Sequence, residues 1–394
     1  RPPASAHDDG HRRVRLAVSA PATTHGATRA AQRLPGPDVV RAVAMIGVVA
    51  MNYHGYLILR SDGPRRTGWL EDVFDPWAGP LSTRFAATFV LVAGVGVTLM
   101  TARSVDARRH AATADQAHRS RDLVRAMRWR LARRGLLLYV TGLLLDEIWP
   151  GTILPYYGAM FVLAAAMFTW RSRWLIVVGA AAAIGGSSVR LWRYERERDG
   201  ISTRWLTQPD PGSIRDHVFG VFVNGTHPLL PWLAMFCAGM VLGRVLRTTW
   251  WRSAAIGAGF GLVGFGWLAS SLASTAFENV ALSVHPLDRG IAYAASALGT
   301  ALIVYAVVDW IATRRTAATD PLRRAGQMTL SLYIAHVLVF NLVVDWLGWI
   351  GPAGVEVALT FALGFWIIGI AAAVAWQRRY GVGPAERIYR TIGG

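Results

Sequence analysis

The chain has 394 residues, of which 53% are hydrophobic and 16% are charged, and its mean hydropathy is +0.32. Soluble globular proteins carry about 25% charged residues. This composition therefore excludes a disordered chain and argues against an ordinary cytosolic enzyme. At about 20 apolar residues per membrane-spanning helix, the length allows about ten spans plus loops. The composition predicts an all-α integral membrane protein.

The net charge of +17 comes from 41 basic residues, all of them arginine. The arginines cluster in short loops between apolar runs, which is typical of membrane topology signals rather than of a nucleic-acid-binding face. With the N-terminus inside, 29 arginines fall on the inner side and 11 on the outer side, and Arg41 lies within the first span. This excess predicts cytosolic N- and C-termini and an even number of spans.

The apolar runs divide the chain into three parts. Residues 1–37 have no apolar signal segment and are expected to form a disordered basic cytosolic tail. Residues 38–380 form the predicted membrane domain, whose longest outer segment covers about 190–228, and residues 381–394 form a second cytosolic tail. The ten predicted spans lie at 39–59, 84–101, 134–149, 156–170, 174–189, 229–246, 254–276, 290–311, 328–347 and 355–376.

The first predicted span carries four polar residues: Asp38, Arg41, Asn52 and His54. Polar groups inside a membrane are expensive, so each is a candidate functional residue. Asp38 and Arg41 share one helix face, where they form either a local ion pair or the wall of an active-site mouth. His54 lies 16 residues after Asp38, about 24 Å further along a helix. It is either an interfacial histidine facing water or a general base.

The ninth predicted span carries His336, which lies nine residues after Gln327 and so about 14 Å into the membrane. Tyr333 lies one turn before it. Contact with lipid does not explain a histidine at this depth. A role in a site and a satisfied hydrogen bond between helices are the two alternatives.

The first predicted outer loop carries a group of acidic residues followed by a cation. Glu71, Asp72 and Asp75 are suited to supply a base or to bind hydroxyl groups, or they simply form a solvated loop. Arg84 then opens the second span, facing outward.

The remaining motifs are less specific. Trp192 and Trp205 in the outer segment are suited to stack on sugars or to join an interfacial aromatic belt. Cys237 is the only cysteine, which excludes an intrachain disulfide and a cysteine-based metal site. The ten histidines show no metal-ligand spacing, so no metal is expected. Gly94 and Gly96 indicate close helix packing.

Several segments resemble one superfamily of membrane acyltransferases. Asp38-Val-Val-Arg41 with Met51-Asn52-Tyr53 resembles the opening of the heparan-α-glucosaminide N-acetyltransferase family, and His227–Trp232 resembles its Pro-Leu-Leu-Pro-Trp segment. Arg84-Phe85 and the segment from Arg130 to Tyr157 resemble the YeiB-like membrane proteins. Ser331–His336 looks like the Tyr-x-x-His helix of membrane acyltransferase family 3. The resemblance covers about residues 33–380, and it is the order of the motifs that is specific.

The resemblance implies transfer of an acyl group from cytosolic acyl-CoA to a sugar hydroxyl or amine on the far side of the membrane. The apolar runs, together with basic residues that are all arginine and frequent Ala and Gly, predict a multi-pass protein of the bacterial plasma membrane. Expected partners are membrane lipids, an envelope polysaccharide or glycolipid acceptor, no nucleic acid, and a second copy or an accessory membrane protein. The heparan family has its catalytic His in the first outer loop, where this chain reads Phe74-Asp75-Pro76-Trp77, and Arg84 lies near where that family has an Asp. That catalytic residue therefore does not carry over.

The site residues are assigned with this departure in mind. His54 is the expected base, with Asp75 as its orienting partner or substitute. Asn52 or His336 is expected to donate to the oxyanion or to line the pantetheine path. Arg41, Arg133 and Arg134 are expected to contact the CoA phosphates. Arg84, Trp192 and Trp205 are expected to contact the acceptor.

Two other functions compete with acyl transfer. Intramembrane Arg and His also fit a transporter or flippase for an envelope precursor, although the chain has no inverted repeat. The missing loop His also fits a catalytically inactive membrane scaffold.

Overall fold

The computed structural model describes residues 34–63, 66–207 and 213–394. All regular secondary structure in these residues is helical, and Pro35–Gly394 forms one compact unit. The predicted N-terminal tail lies outside the described residues as far as residue 33, and the first helix already begins at Gly36.

The helices of the described part follow one another with short connections. They are α1 (Gly36–Ile58), α2 (Trp69–Val73), α3 (Arg84–Arg109), α4 (Ala114–Asp146), α5 (Leu154–Met167), α6 (Ser172–Arg198), α7 (Arg204–Thr207), α8 (Ile214–Phe219), α9 (Leu229–Val245), α10 (Trp251–Leu272), α11 (Ala276–Leu282), α12 (Ile291–Arg314), α13 (Thr316–Gln327), α14 (Thr329–Phe340), α15 (Val355–Tyr380) and α16 (Pro384–Gly393). Two π-helical segments, Gly220–Asn224 and Asn341–Trp346, continue α8 and α14.

A helix occupies each of the ten predicted apolar runs, and this all-helical architecture is consistent with an integral membrane protein. Six helices of the described part are long and apolar enough to span a membrane: α3, α6, α10, α12, α14 with its π-helical continuation, and α15. A seventh span results if the pair Ile214–Asn224 and Leu229–Val245, bent by 55°, counts as one. Ten crossings remain a prediction, because α1 and α4 carry charged residues and α5 is only 14 residues long. The cytosolic location of both termini also remains a prediction.

Helix α1 lies at the centre of the bundle, in contact with α3, α12, α13, α14 and α15. Pro37 in its first turn has the backbone angle that a helix start requires, and Asp38 there faces the positive end of the helix dipole. Burial on all sides explains how α1 keeps its polar residues away from lipid. It divides the molecule into an Asp38 end and a His54 end, predicted to be the cytosolic and outer ends.

The crossing of α3 and α9 depends on two glycines. A Cβ added at Gly94 would overlap the Phe236 carbonyl oxygen, and one added at Gly239 would overlap the Leu91 carbonyl oxygen. The two backbones therefore touch directly, as small residues allow in membrane helices. The predicted packing role of Gly94 is confirmed.

Candidate active site

A cavity of about 540 Å³ opens at the His54 end of the bundle. Its walls come from α1, α3 and α5 and from the loops that precede α9 and α12. This size is typical of a small-molecule site. The polar or charged side chains in its lining are Asn52, Tyr56, Trp77, Thr83, Asp146, Tyr156, Asn224, Thr226, His227, Trp232, Arg289 and Tyr333.

Asn52 and His336, predicted from separate spans, meet in the structure. The Asn52 amide nitrogen lies 3.3 Å from His336 Nε2, and the ring Nδ1 contacts the Tyr333 carbonyl oxygen. His336 is fully buried behind Asn52, and only Asn52 lines the cavity. His336 therefore orients the amide, and the amide faces the space where a substrate fits.

His227 and Trp232 form the most distinctive pair in the cavity wall. Their ring centroids lie 4.7 Å apart with the planes at 70°. Among the described residues, neither His227 Nδ1 nor Trp232 Nε1 has a hydrogen-bond partner, although both atoms are buried. Buried polar groups are nearly always satisfied, and exceptions call for a catalytic role or a missing ligand. A proton acceptor and an N–H donor thus lie side by side.

Arg289 adds a positive charge to the same cavity. Its guanidinium donates to the Thr226 carbonyl oxygen at 3.3 Å, and the Tyr156 hydroxyl accepts from Thr226 N at 2.9 Å. Arg289 has a φ of 53°, a left-handed backbone conformation that is uncommon outside glycine and often found at functional sites. Burial lowers the pKa of its guanidinium, because the charged form loses water there. An anion bound in the cavity would stabilise the charged guanidinium in place of the lost water.

His54 lies outside the cavity lining, and both of its ring nitrogens have oxygen partners. Nδ1 is 2.9 Å from the Phe74 carbonyl oxygen, and Nε2 is 2.8 Å from a Glu71 carboxylate oxygen. The other Glu71 oxygen accepts from Val355 N at 2.9 Å, at the start of α15. His54 and Glu71 therefore fasten the first loop to α1 and α15, and an acceptor would reach His54 only if one of these bonds broke.

Replacing Glu71 with alanine is expected to lower the free energy of unfolding by roughly 3 kcal/mol, since buried His54 Nε2 and Val355 N would both lose their hydrogen-bond acceptor. Thermal unfolding in detergent, followed by tryptophan fluorescence, measures the change. Asp72→Ala is the matched control, because Asp72 is the neighbouring carboxylate and is exposed. Equal unfolding temperatures for the two variants would contradict the fastening role.

Asp75 of the first loop and Arg84 at the start of α3 both lie outside the cavity lining. One Asp75 carboxylate oxygen accepts from Trp77 N at 2.7 Å and from Ala78 N at 2.8 Å, which fixes the turn that brings Trp77 to the cavity. Arg84 donates to Ser296 Oγ at 3.0 Å and lies over the Tyr293 ring, 5.6 Å from its centroid. Asp75 thus orders the turn of the first loop, and Arg84 lies buried between α3 and α12.

At the Asp38 end, Arg41 is only partly engaged. Its guanidinium lies 3.4 Å from an Asp38 carboxylate oxygen and 3.4 Å from the Gly326 carbonyl oxygen, and a quarter of its side chain is exposed. Asp38 also accepts from Gln327 Nε2 at 2.9 Å. The local ion pair expected from the sequence is present, and Arg41 keeps donors for a ligand.

Arg134 and Arg133 lie at the same end, under the C-terminal helix α16. Arg134 donates to the Gly394 carbonyl oxygen at 3.1 Å and lies over the Tyr389 ring, 5.2 Å from its centroid. Burial raises the pKa of the Tyr389 phenol, and the positive charges of Arg134 and Arg41 oppose that shift, so the two arginines share one neighbourhood. A Cβ added at Gly394 would contact the Arg133 guanidinium.

Trp192 and Trp205 lie together in the predicted outer segment, away from the cavity lining. Their ring centroids are 6.2 Å apart at 75°, and Arg196 lies over Trp192 at 5.1 Å. Both rings are partly exposed. They form one aromatic surface on α6 and α7, in keeping with either of the two roles expected of them.

The sequence singles out His227 and Trp232 only as ends of a family-like segment, and it assigns no role to Arg289. The signal was present in the His227-Pro-Leu-Leu-Pro-Trp232 segment, where a histidine precedes a bent helix start. No group of three His, Cys, Asp or Glu residues that could hold a metal occurs in residues 34–63, 66–207 and 213–394.

Comparison with known proteins extends the resemblance. The family described as the catalytic domain of heparan-alpha-glucosaminide N-acetyltransferase matches residues 33–271, more than half of the chain. A family described as a protein of unknown function (DUF418) matches residues 238–393. No curated protein matches the chain. The first match contains Asn52, His227 and Trp232, and the chain belongs to the heparan-alpha-glucosaminide N-acetyltransferase catalytic-domain family, within the wider superfamily of acyltransferase-like membrane proteins.

Proposed function

We propose that this chain transfers an acyl group from acyl-CoA to a hydroxyl or amine of a cell-envelope glycan or glycolipid, in the bacterial plasma membrane. The family match supports a membrane acetyltransferase-like activity. The observation that carries the proposal is a pair of buried polar atoms with no hydrogen-bond partner in the described part of the chain, His227 Nδ1 and Trp232 Nε1. Both residues line a cavity large enough for an acyl acceptor.

In this proposal His227 is the general base. A sugar hydroxyl is too weak an acid to attack a thioester unaided, so its proton must leave as the oxygen attacks. With the ring proton on Nε2, the lone pair of Nδ1 takes the acceptor's proton while a new C–O or C–N bond forms to the thioester carbonyl carbon. The tetrahedral intermediate then collapses, the C–S bond breaks, and the CoA thiolate leaves and takes up the proton.

The developing oxyanion needs N–H donors that are already in place. Trp232 Nε1–H is the first, because it has no hydrogen-bond partner within the described residues. The Asn52 amide, held by His336, is the second. Each such donor is worth about 10²–10³-fold in rate. His54, predicted as the base, becomes a positioning residue, because it holds the loop that carries Trp77.

The donor is proposed to enter from the Asp38 end. Arg41, Arg133 and Arg134 are the predicted contacts for the CoA phosphates; Arg133 is exposed, and a quarter of the Arg41 side chain is exposed. Among the described residues the buried Tyr157 hydroxyl has no hydrogen-bond partner, and its ring packs on Phe89 of the cavity wall, with 5.5 Å between the centroids. We propose that the pantetheine chain passes Tyr157 on its way from the arginines to the cavity.

Binding of a panel of acyl-CoAs to the purified protein tests the proposal. We expect saturable binding that is lost in Arg41→Ala and retained in His54→Ala. The matched control is Arg173→Ala, because Arg173 is an exposed arginine outside the proposed path. Absence of binding to every acyl-CoA would overturn the proposal and favour transport or a scaffold role.

A further inference from the structure

The C-terminal helix α16 presents two different faces. Its inner face carries Glu386, Tyr389 and Gly393, which contact α4 and α14. Its outer face carries Ile388 and Ile392, four residues apart and so on one side of the helix. These two side chains are 58% and 55% exposed.

The inner face is held by specific bonds. The Glu386 carboxylate accepts from Leu330 N at 2.7 Å and from Ser331 N at 3.1 Å, so it caps the start of α14. Arg387 donates to the Tyr380 carbonyl oxygen at 3.2 Å, at the end of α15. The helix is therefore fixed in orientation, and its apolar outer face is a constant feature of the surface.

The position of α16 identifies what this outer face meets. Helix α15 is a candidate membrane span that ends at Tyr380, and only residues 381–383 separate it from α16. Three residues reach about 10 Å at most, so α16 begins where the bilayer surface lies. Trp376 and Tyr380 pack together in the last turns of α15, as in an interfacial aromatic belt.

The charges agree with this position. Arg378 and Arg379 end α15, and Arg387 and Arg390 lie exposed on α16, while the Glu386 carboxylate points inward to α14. An amphipathic helix with isoleucines on one side and arginines on its polar side is the form that binds lying in a membrane interface. Each arginine near an anionic lipid surface strengthens binding about fivefold.

We propose that α16 lies in the bilayer interface, with Ile388 and Ile392 inserted among the lipids and Arg387 and Arg390 on anionic headgroups. Because Glu386 caps α14, this contact also fixes the helix that carries Tyr333 and His336 at the cavity. The surface is independent of the acyl transfer proposed above, since it requires neither donor nor acceptor.

Spin labels on single cysteines test this placement in bilayers of phosphatidylcholine alone and of phosphatidylcholine mixed with phosphatidylglycerol. Cys237 is the only native cysteine and is buried, so Cys237→Ala gives a clean background for Ile388→Cys and Ile392→Cys. Ala112→Cys, in the exposed α3–α4 loop, is the water control, and Leu363→Cys, exposed in the middle of α15, is the lipid control.

Collision rates with oxygen and with a water-soluble nickel complex report the surroundings of each label. We expect the oxygen-to-nickel ratio of labels at positions 388 and 392 to be several times higher than that of the label at 112. It should be lower than the ratio of the label at 363. The ratio should rise with phosphatidylglycerol, and Arg387→Gln with Arg390→Gln should remove that rise. Ratios equal to that at 112 in both bilayers would overturn the proposal. So would labels shielded from both reagents, because they would indicate a protein partner.

Discussion

Replacement of His227 by glutamine is expected to lower the rate of acyl transfer about 10²–10⁴-fold, the usual contribution of a general base. Glutamine keeps similar bulk beside Trp232 but cannot take up the acceptor's proton. Binding of acyl-CoA should be unchanged, because the arginines assigned to the donor lie at the Asp38 end. Initial rates of CoA release in the presence of acceptor membranes, measured beside acyl-CoA binding, separate the two effects.

Two further histidine variants show whether the loss of rate is specific to His227. His118→Gln changes an exposed residue of α4 and should leave the rate unchanged. His54→Gln removes the bond to Glu71 and should lower the unfolding temperature more than the rate per folded molecule. If His54→Gln abolished transfer in folded protein while His227→Gln did not, the assignment of the base would be reversed.

Trp232→Phe is expected to lower the transfer rate about 10²–10³-fold, because it removes one donor to the oxyanion and little else. Phenylalanine retains an aromatic ring against His227, and Nε1 has no partner among the described residues whose loss would disturb the fold. The effect should appear in kcat rather than KM, since the oxyanion exists only in the transition state.

Trp366→Phe is the matched control for this variant. Trp366 is also buried, its Nε1 also has no partner among the described residues, and it lies in α15 away from the cavity lining. A full rate in Trp232→Phe, or an equal loss in both variants, would show that the indole N–H is not an oxyanion donor.

The positions of the ten helical segments follow from the sequence because apolar runs bounded by arginine and proline determine them locally. Helix α4 shows where this rule is incomplete. Its apolar part was predicted at 134–149, but the helix begins at Ala114, where Thr113 and Gln116 form a capping box. The arginine-rich half of α4 lacks the apolar signal and is helical nevertheless.

The chemistry of the site was less accessible from the sequence, because it depends on which loops converge. The polar residues of α1 were found because polar groups in an apolar run are conspicuous. The partners of His54 could not be found in this way, because Glu71 and Phe74 reach it only through the fold of the first loop. The loop residue His227 becomes distinctive only when α5 and the loop before α12 surround it, with no described residue bonded to its Nδ1. Likewise, the residues predicted as a C-terminal tail form α16, whose contact with Arg134 joins positions 260 residues apart.

The most direct test of the central claim is incorporation of a labelled acetyl group from acetyl-CoA into envelope material. Membranes from cells that produce this chain, with wild-type His227 or His227→Gln, are compared under the same conditions. Our account predicts label in the acceptor fraction with the wild-type chain and a loss of at least about 100-fold with the variant. Equal incorporation by both membranes would contradict it, as would incorporation by the wild type no higher than in membranes that lack the chain.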